Sequence, residues 1–213
     1  MHDKKLDVFF FEAFEEEETA LRAHLSAGRK AAFTADTIQE WGSADPKATI
    51  ISIRTQSQIP LDWAPGLGGI LTRSTGYDHV LRYLAQTGTA PAAGHLPIYC
   101  NRAVAEQALL LWMALLRRLP VQQAHFRKFH RDGITGHECR EKTLAVFGVG
   151  NIGYEVVRIG RGLDMHVVGV DIDQRHPDVN YMTPGAALAA ADIVVCAMNL
   201  TAENEGYFNT ARW

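Results

Sequence analysis

The stretch Thr143-Leu-Ala-Val-Phe-Gly-Val-Gly-Asn-Ile-Gly153 decides the reading of this chain. An apolar run with strand character enters three glycines at the spacing G-x-G-x-x-G, and a helix-forming run comes next. A buried strand, a tight turn and a helix N-terminus in that order cradle a pyrophosphate. Gly148 allows the turn, Gly150 lets the backbone approach the phosphates, and Gly153 lets the helix pack closely on the strand. The amides near Asn151 and Ile152 present the helix N-terminus to the negative charge. Glycine-rich turns that bind nothing are common, so the spacing needs support from the residues downstream. A second apolar strand, His166-Val-Val-Gly-Val170, ends at Asp171. That is about 20 residues past the glycines, where a carboxylate accepts the ribose hydroxyls of NAD. The same charge repels the 2′-phosphate of NADP by on the order of a kcal/mol or more at ~4 Å, so NAD is the expected cofactor. Ile172 is expected on the adenine side, and Arg175 is close enough in sequence to soften the preference.

Upstream of this motif the sequence alternates strand and helix patterns, as a parallel sheet with helices on its faces requires. Strands are expected at 6–11, 30–34, 49–53 and 69–72, and helices at 15–25 and 77–86. Residues 91–99 read as loop plus a short extended piece. A long helix is expected over 101–130, broken at Pro120. Strand 143–147, helix 151–163, strand 166–171 and strand 192–197 then begin a second α/β unit. The expected domains are therefore 1–100 and 101–213, with a cleft between them as the ligand site. The run Glu15-Glu-Glu-Glu18 reads as the solvated first turn of a helix, where acidic groups suit the dipole, and not as a metal cluster.

Composition narrows the function classes. A net charge of -3 and a pI near 6.3 give no basic field for nucleic acid. The three cysteines, Cys100, Cys139 and Cys196, lack C-x-x-C spacing, so neither a disulfide framework nor a zinc site is indicated. The first residues show no signal-peptide pattern, and a cytoplasmic location is expected. The apolar stretch 103–116 contains Glu106 and Gln107 and is too short to span a bilayer. A helix apolar on nearly all sides is expected to be buried between layers or against a partner subunit.

Three further segments carry a family pattern: Arg73-Ser-Thr-Gly-Tyr-Asp-His-Val80, Leu96-Pro-Ile-Tyr-Cys-Asn-Arg-Ala-Val-Ala-Glu106 and Asp192-Ile-Val-Val-Cys-Ala-Met-Asn-Leu-Thr201. Together with the glycine turn and Asp171, they resemble the D-isomer-specific 2-hydroxyacid dehydrogenases, closest to the D-lactate dehydrogenase branch. The resemblance implies a flavodoxin-like substrate domain followed by the first part of a Rossmann-type NAD-binding domain. It implies that backbone amides at Thr75 and Gly76 form a nest for the substrate carboxylate. The competing reading makes Gly76 a plain turn residue with Asp78 as a helix cap. The resemblance also places Tyr99 over the substrate, against a half-buried hinge aromatic, and Val104 near the nicotinamide, against a plain core contact. Asn199, at a position where the chain departs from the family, is expected to offer an amide to the cofactor instead. Arg73 and His79 match no catalytic group and are expected to brace the loop or lie at the surface. Glu106 is expected to position its helix. The apolar helix 103–116 resembles the family's dimer surface, which makes a homodimer the expected assembly.

The sequence departs from the family in two places. Ala197-Met198-Asn199 stands where the family carries His-x-Pro, which puts the adenosine and ribose contacts made there in doubt. The family's catalytic arginine, acid and histidine correspond to positions beyond Trp213. Two function classes are therefore expected to compete. One is an NAD-dependent oxidoreductase for a small 2-oxo or D-2-hydroxy acid, present as a truncated chain inactive alone. The other is a non-catalytic nucleotide-binding or regulatory chain derived from that family.

Overall fold

A computed structural model describes residues 6–88 and 91–210. The chain divides into two compact units, Met1–Tyr99 and Cys100–Trp213.

The first unit contains strands β1 (Leu6–Phe10), β2 (Ala31–Phe33), β3 (Ala48–Ile53), β4 (Gly69–Thr72) and β5 (Ala92–Gly94). They form one parallel sheet in the order β2-β1-β3-β4-β5, the flavodoxin-like arrangement. Its helices are α1 (Glu15–His24), the single-turn α2 (Ile38–Trp41) and α3 (Asp78–Thr87), with a 3-10 turn at Leu61–Gly66. Side chains alternate across a strand, so β1 feeds two cores. Phe9, with Phe11 just beyond the strand, joins Ile51, Ile53, Trp63 and Ile70 on one face. Val8 and Phe10 pack with Leu21 and Phe33 on the other. This second face is covered over β1 and β2, while Ile50 of β3 and Leu71 of β4 stay 37% and 47% exposed on it.

The second unit begins with α4 (Asn101–Leu116) and α5 (Leu119–Phe126). It continues through β6 (Thr143–Phe147), α6 (Asn151–Gly162), β7 (His166–Val170), β8 (Asn180–Tyr181), α7 (Pro184–Ala190) and β9 (Ile193–Cys196). The sheet is parallel in the order β8-β7-β6-β9. Chain direction reverses its outward growth between β6 and β9, which places the switch point beside the glycine turn. β6 again divides its side chains: Leu144 and Val146 face Trp112, Val156 and Val157, while Ala145 and Phe147 face Val168, Val170 and Ala187. Tyr207 and Phe208 close the second face, with the Phe208 ring edge-on to Phe147 at 5.1 Å.

The long helix expected over 101–130 is two helices. The break lies at Arg117 and at Arg118, which adopts a left-handed conformation with φ 54, and Pro120 sits inside the first turn of α5. Proline is tolerated there because first-turn amides have no intrahelical acceptor. The chain leaves helical geometry before Pro120, and α5 ends at Phe126. Nor is α4 buried all round: only Ala105 and Trp112 are fully covered, while Leu111 is 57% and Leu115 77% exposed. Asp78 does not cap α3; Tyr77 holds the cap position without a side-chain bond, and Asp78 pairs with Arg82 at 3.0 Å.

Candidate functional site

In the second unit, β6 delivers the chain into the glycine turn, and each glycine has its own surroundings. Gly148 has φ +86, and a Cβ there would lie 2.6 Å from the Met198 amide nitrogen, so the turn and the end of β9 approach at backbone distance. A Cβ at Gly153 would overlap the Gly148 carbonyl oxygen at a separation of 1.9 Å. At Gly150 a Cβ would meet nothing within 4 Å, and Gly150 caps α6 without a side-chain hydrogen bond. The outer glycines are therefore demanded by packing, and the middle one keeps open the space in front of the helix N-terminus. Open approach, uncapped first turn and positive helix end together fit a phosphate group.

Asp171 follows β7 and turns back onto this loop. Its Oδ2 accepts from the Val149 amide at 2.6 Å, and its Oδ1 accepts from the Asp173 amide at 2.9 Å. A carboxylate offers about four acceptor positions, so both oxygens retain capacity for ribose hydroxyls. The amide between the first two glycines thus latches the acid to the turn, a contact the spacing alone does not disclose. Ile172 is fully exposed beside it, and Arg175 forms an ion pair with Asp173 at 3.1 Å. The segment after Asp171 is braced against α6. Arg161 bonds Asp178 at 2.6 Å and also its backbone oxygen, and the Tyr154 hydroxyl donates to Asp178 at 3.0 Å. The Tyr154 ring stacks on His176 at 3.9 Å. The Arg161 hydrogen bond holds the Asp178 carboxyl below its ordinary range, and the bond to Asp178 pushes the Tyr154 hydroxyl up. Asn199 is exposed past β9, with its backbone oxygen accepting from Asn204 at 2.6 Å. Val104 is partly exposed on α4. Nearby, Arg102 bridges Glu106 and Glu155, joining α4 to α6.

In the first unit, Thr75, Gly76 and Tyr99 come together. The Thr75 hydroxyl donates to the Tyr99 carbonyl at 3.0 Å, and the Leu96 amide donates to the Ser74 carbonyl at 3.1 Å. The rings of Tyr77 and His95 lie 4.3 Å apart across the same pair of loops. Arg73, 7% exposed, is the brace behind them. Its guanidinium donates to Glu17 at 2.8 Å, to Ser52 at 3.0 Å and to the carbonyls of Phe11 and Glu12 at 2.7 and 3.0 Å. A buried cation needs this full set of acceptors, and the result fixes the ends of β1, β3 and β4 to α1. Glu12 is buried with φ 54 and accepts from the amides of Arg54, Gln56 and Ser57. His79 approaches Thr72 Oγ1 at 3.1 Å, and desolvation moves its pKa below the ordinary histidine value. Among the described residues no cluster of three or more His, Cys, Asp or Glu is arranged for a metal ion, and no helix is long and apolar enough to cross a membrane.

The family model described as the NAD-binding domain of D-isomer specific 2-hydroxyacid dehydrogenase matches residues 109–213, the segment that contains the glycine turn and Asp171. Residues 109–213 thus carry the NAD-binding domain of the D-isomer-specific 2-hydroxyacid dehydrogenases. NAD is the cofactor of the matched domain. Among curated relatives, D-lactate dehydrogenase of Escherichia coli is 30% identical over 125 residues, covering 54% of this chain and 37% of that enzyme. Glyoxylate reductase of Thermofilum pendens is 28% identical over 164 residues, covering 71% of this chain and 48% of that enzyme. These alignments span half or less of the relatives' own length. The fold of D-lactate dehydrogenase from Aquifex aeolicus, solved with NAD and lactic acid, matches with a TM-score of 0.80 at 24% identity. That match covers 97% of this chain and 65% of the solved one.

Proposed function

We propose that this chain serves an NAD-dependent oxidoreductase that interconverts a small 2-oxo acid and its D-2-hydroxy acid. The observation that carries the reading is the pairing of an open, positive-φ glycine turn with Asp171 latched to it, in a domain of this family. In this reading 1–100 is the substrate domain and 101–213 the NAD-binding domain. Gly148, Gly150, Asn151, Ile152 and Gly153 hold the pyrophosphate, Asp171 the adenosine ribose, and Ile172, Asn199 and Val104 flank the cofactor. Thr75 and Gly76 offer amides to the substrate carboxylate, with Tyr99 beside them. When bound, NADH supplies the hydride that reaches C2 of the 2-oxo acid. The chain's own contribution is orientation, with an anion nest for one partner and a helix N-terminus for the other. The 213-residue polypeptide is expected to bind NADH through the glycine turn and Asp171. Lactate- and glyoxylate-type relatives leave the acid itself a matter of small 2-oxo acids as a class. The cytoplasm is the proposed compartment, and a second copy of the chain is proposed to cover the exposed leucines of α4.

Fluorescence titration with NADH and NADPH tests the cofactor assignment. The parent chain is expected to prefer NADH, and Asp171→Ala to narrow that preference roughly tenfold, the scale of ~1 to 2 kcal/mol for one charged contact. An unchanged ratio in the variant would remove Asp171 from the site.

A further inference from the structure

Hydrogen counting along one chain of contacts in the first unit gives a direction to the bonds that link His79 to the loop. The Ser74 hydroxyl lies 2.6 Å from the Gly76 carbonyl oxygen, which only accepts, so the single Ser74 hydrogen is committed there. Thr72 Oγ1 lies 2.6 Å from Ser74 Oγ, and with the Ser74 hydrogen spent, Thr72 must be the donor. Thr72 then has no hydrogen left for His79 Nε2 at 3.1 Å, so Nε2 must carry the proton and donate. The bonds all run one way, from imidazole to Thr72 to Ser74 to the Gly76 carbonyl. Thr72, at their centre, is 1% exposed, and a directional chain in a dry setting is reinforced from bond to bond.

At Gly76 itself no side-chain packing fixes the peptide. A Cβ on Gly76 would meet only Asp78 Oδ1, at 3.9 Å, and Gly76 itself is exposed. We propose that His79 is a positioning residue for the substrate carboxylate, its Nε2–H fixing the Gly76 peptide through Thr72 and Ser74. The proposal rests on the reading of Thr75 and Gly76 as the carboxylate nest. It ties the first turn of α3 to the end of β4 across the very loop that must keep its amides aimed at one point. The Arg54 backbone carbonyl also takes a hydrogen bond from the ring, so the imidazolium serves both partners, and the neutral ring drives the relay only with its single proton on Nε2.

Two measurements on the 213-residue chain, labelled with nitrogen-15, test this. Long-range nitrogen–proton spectra of the unmodified protein report the tautomer, and protonation at Nε2 of the neutral ring is expected; a neutral ring protonated at Nδ1 overturns the relay. Oxamate, an unreactive 2-oxo acid analogue, is then titrated in the presence of NADH while the Thr75 and Gly76 amide signals are followed. His79→Gln keeps a donor in place and is expected to match the parent within twofold. His79→Leu and Ser74→Ala are expected to weaken oxamate about three- to tenfold, the scale of one hydrogen bond, with NADH affinity unchanged. Parent-like oxamate affinity in His79→Leu overturns the proposal. Silence of both amides in the parent would instead overturn the carboxylate nest itself, and the proposal with it.

Discussion

Three glycines within six residues meet three different environments, and that difference separates packing from binding one residue at a time. Gly150→Ala adds a methyl to open space at φ -79, outside the left-handed region that strains an L-residue, so the fold should tolerate it. The same methyl stands where the phosphates are proposed to approach. Gly150→Ala is therefore expected to leave the unfolding midpoint unchanged and weaken NADH at least tenfold. Gly153→Ala forces a methyl onto the Gly148 carbonyl oxygen and is expected to cost about 3 kcal/mol or more of stability. Denaturant unfolding and NADH titration of both variants check this, and equal effects on stability would refute the division of roles. Spacing alone singles out these three positions, because glycine's missing side chain is itself the signal. The latch from the Val149 amide to Asp171 is not legible in the sequence, since it depends on how the turn after β7 folds back. The His79 relay is hidden for the same reason: Thr72, Ser74 and His79 are ordinary residues until the loop curls.

The same limit governs whole elements. Strands β1, β3, β4, β6 and β7 are legible because each is a short, largely apolar run flanked by turn residues, the pattern of a sheet packed between helices. The short pieces are harder to see, although some carry a local signal. Thr37-Ile-Gln-Glu40 is a capping box at the start of α2, with Thr37 accepting from the Glu40 amide and Glu40 reaching back to Thr37. Pro184 opens α7 in the position that favours proline. The two-residue β8 has no pattern of its own and exists through pairing with β7. On α4, the apolar composition is plain in the sequence, but its burial is not supplied by this chain: Leu110, Leu111 and Leu115 stay exposed on a helix whose other face covers α6. If a second copy covers them, Leu111→Glu with Leu115→Glu should convert a dimer to a monomer in sedimentation while shifting intrinsic stability by no more than about 0.5 kcal/mol. A monomeric parent at micromolar concentration would remove this surface from the assembly.

At the scale of the molecule, the two units are built around separate cores: the clusters holding Phe9, Ile51 and Trp63, and Val8 and Phe10, lie in the first, and those holding Leu144 and Val156, and Ala145 and Phe147, in the second. A ligand stabilises what it binds by mass action, about 2.7 kcal/mol at one hundred times its dissociation constant. The whole proposed cofactor cradle, from Val104 through Gly148 and Asp171 to Asn199, belongs to the second unit, and the residues proposed to hold substrate carboxylate belong to the first. Saturation with NADH should therefore slow hydrogen exchange through β6, α6 and β7, by up to about a hundredfold where opening is governed by unfolding of that unit. The core strands β1 and β3 should exchange at their unliganded rates. Peptide-resolved exchange with and without NADH reads both units in one experiment. Protection confined to the second unit would mean that cofactor affinity is written locally, in the turn and its acid. Equal protection of β1 and β3 would mean instead that the cofactor's binding energy is shared with the substrate unit, and the assignment of the cofactor site to the second unit alone would have to be abandoned.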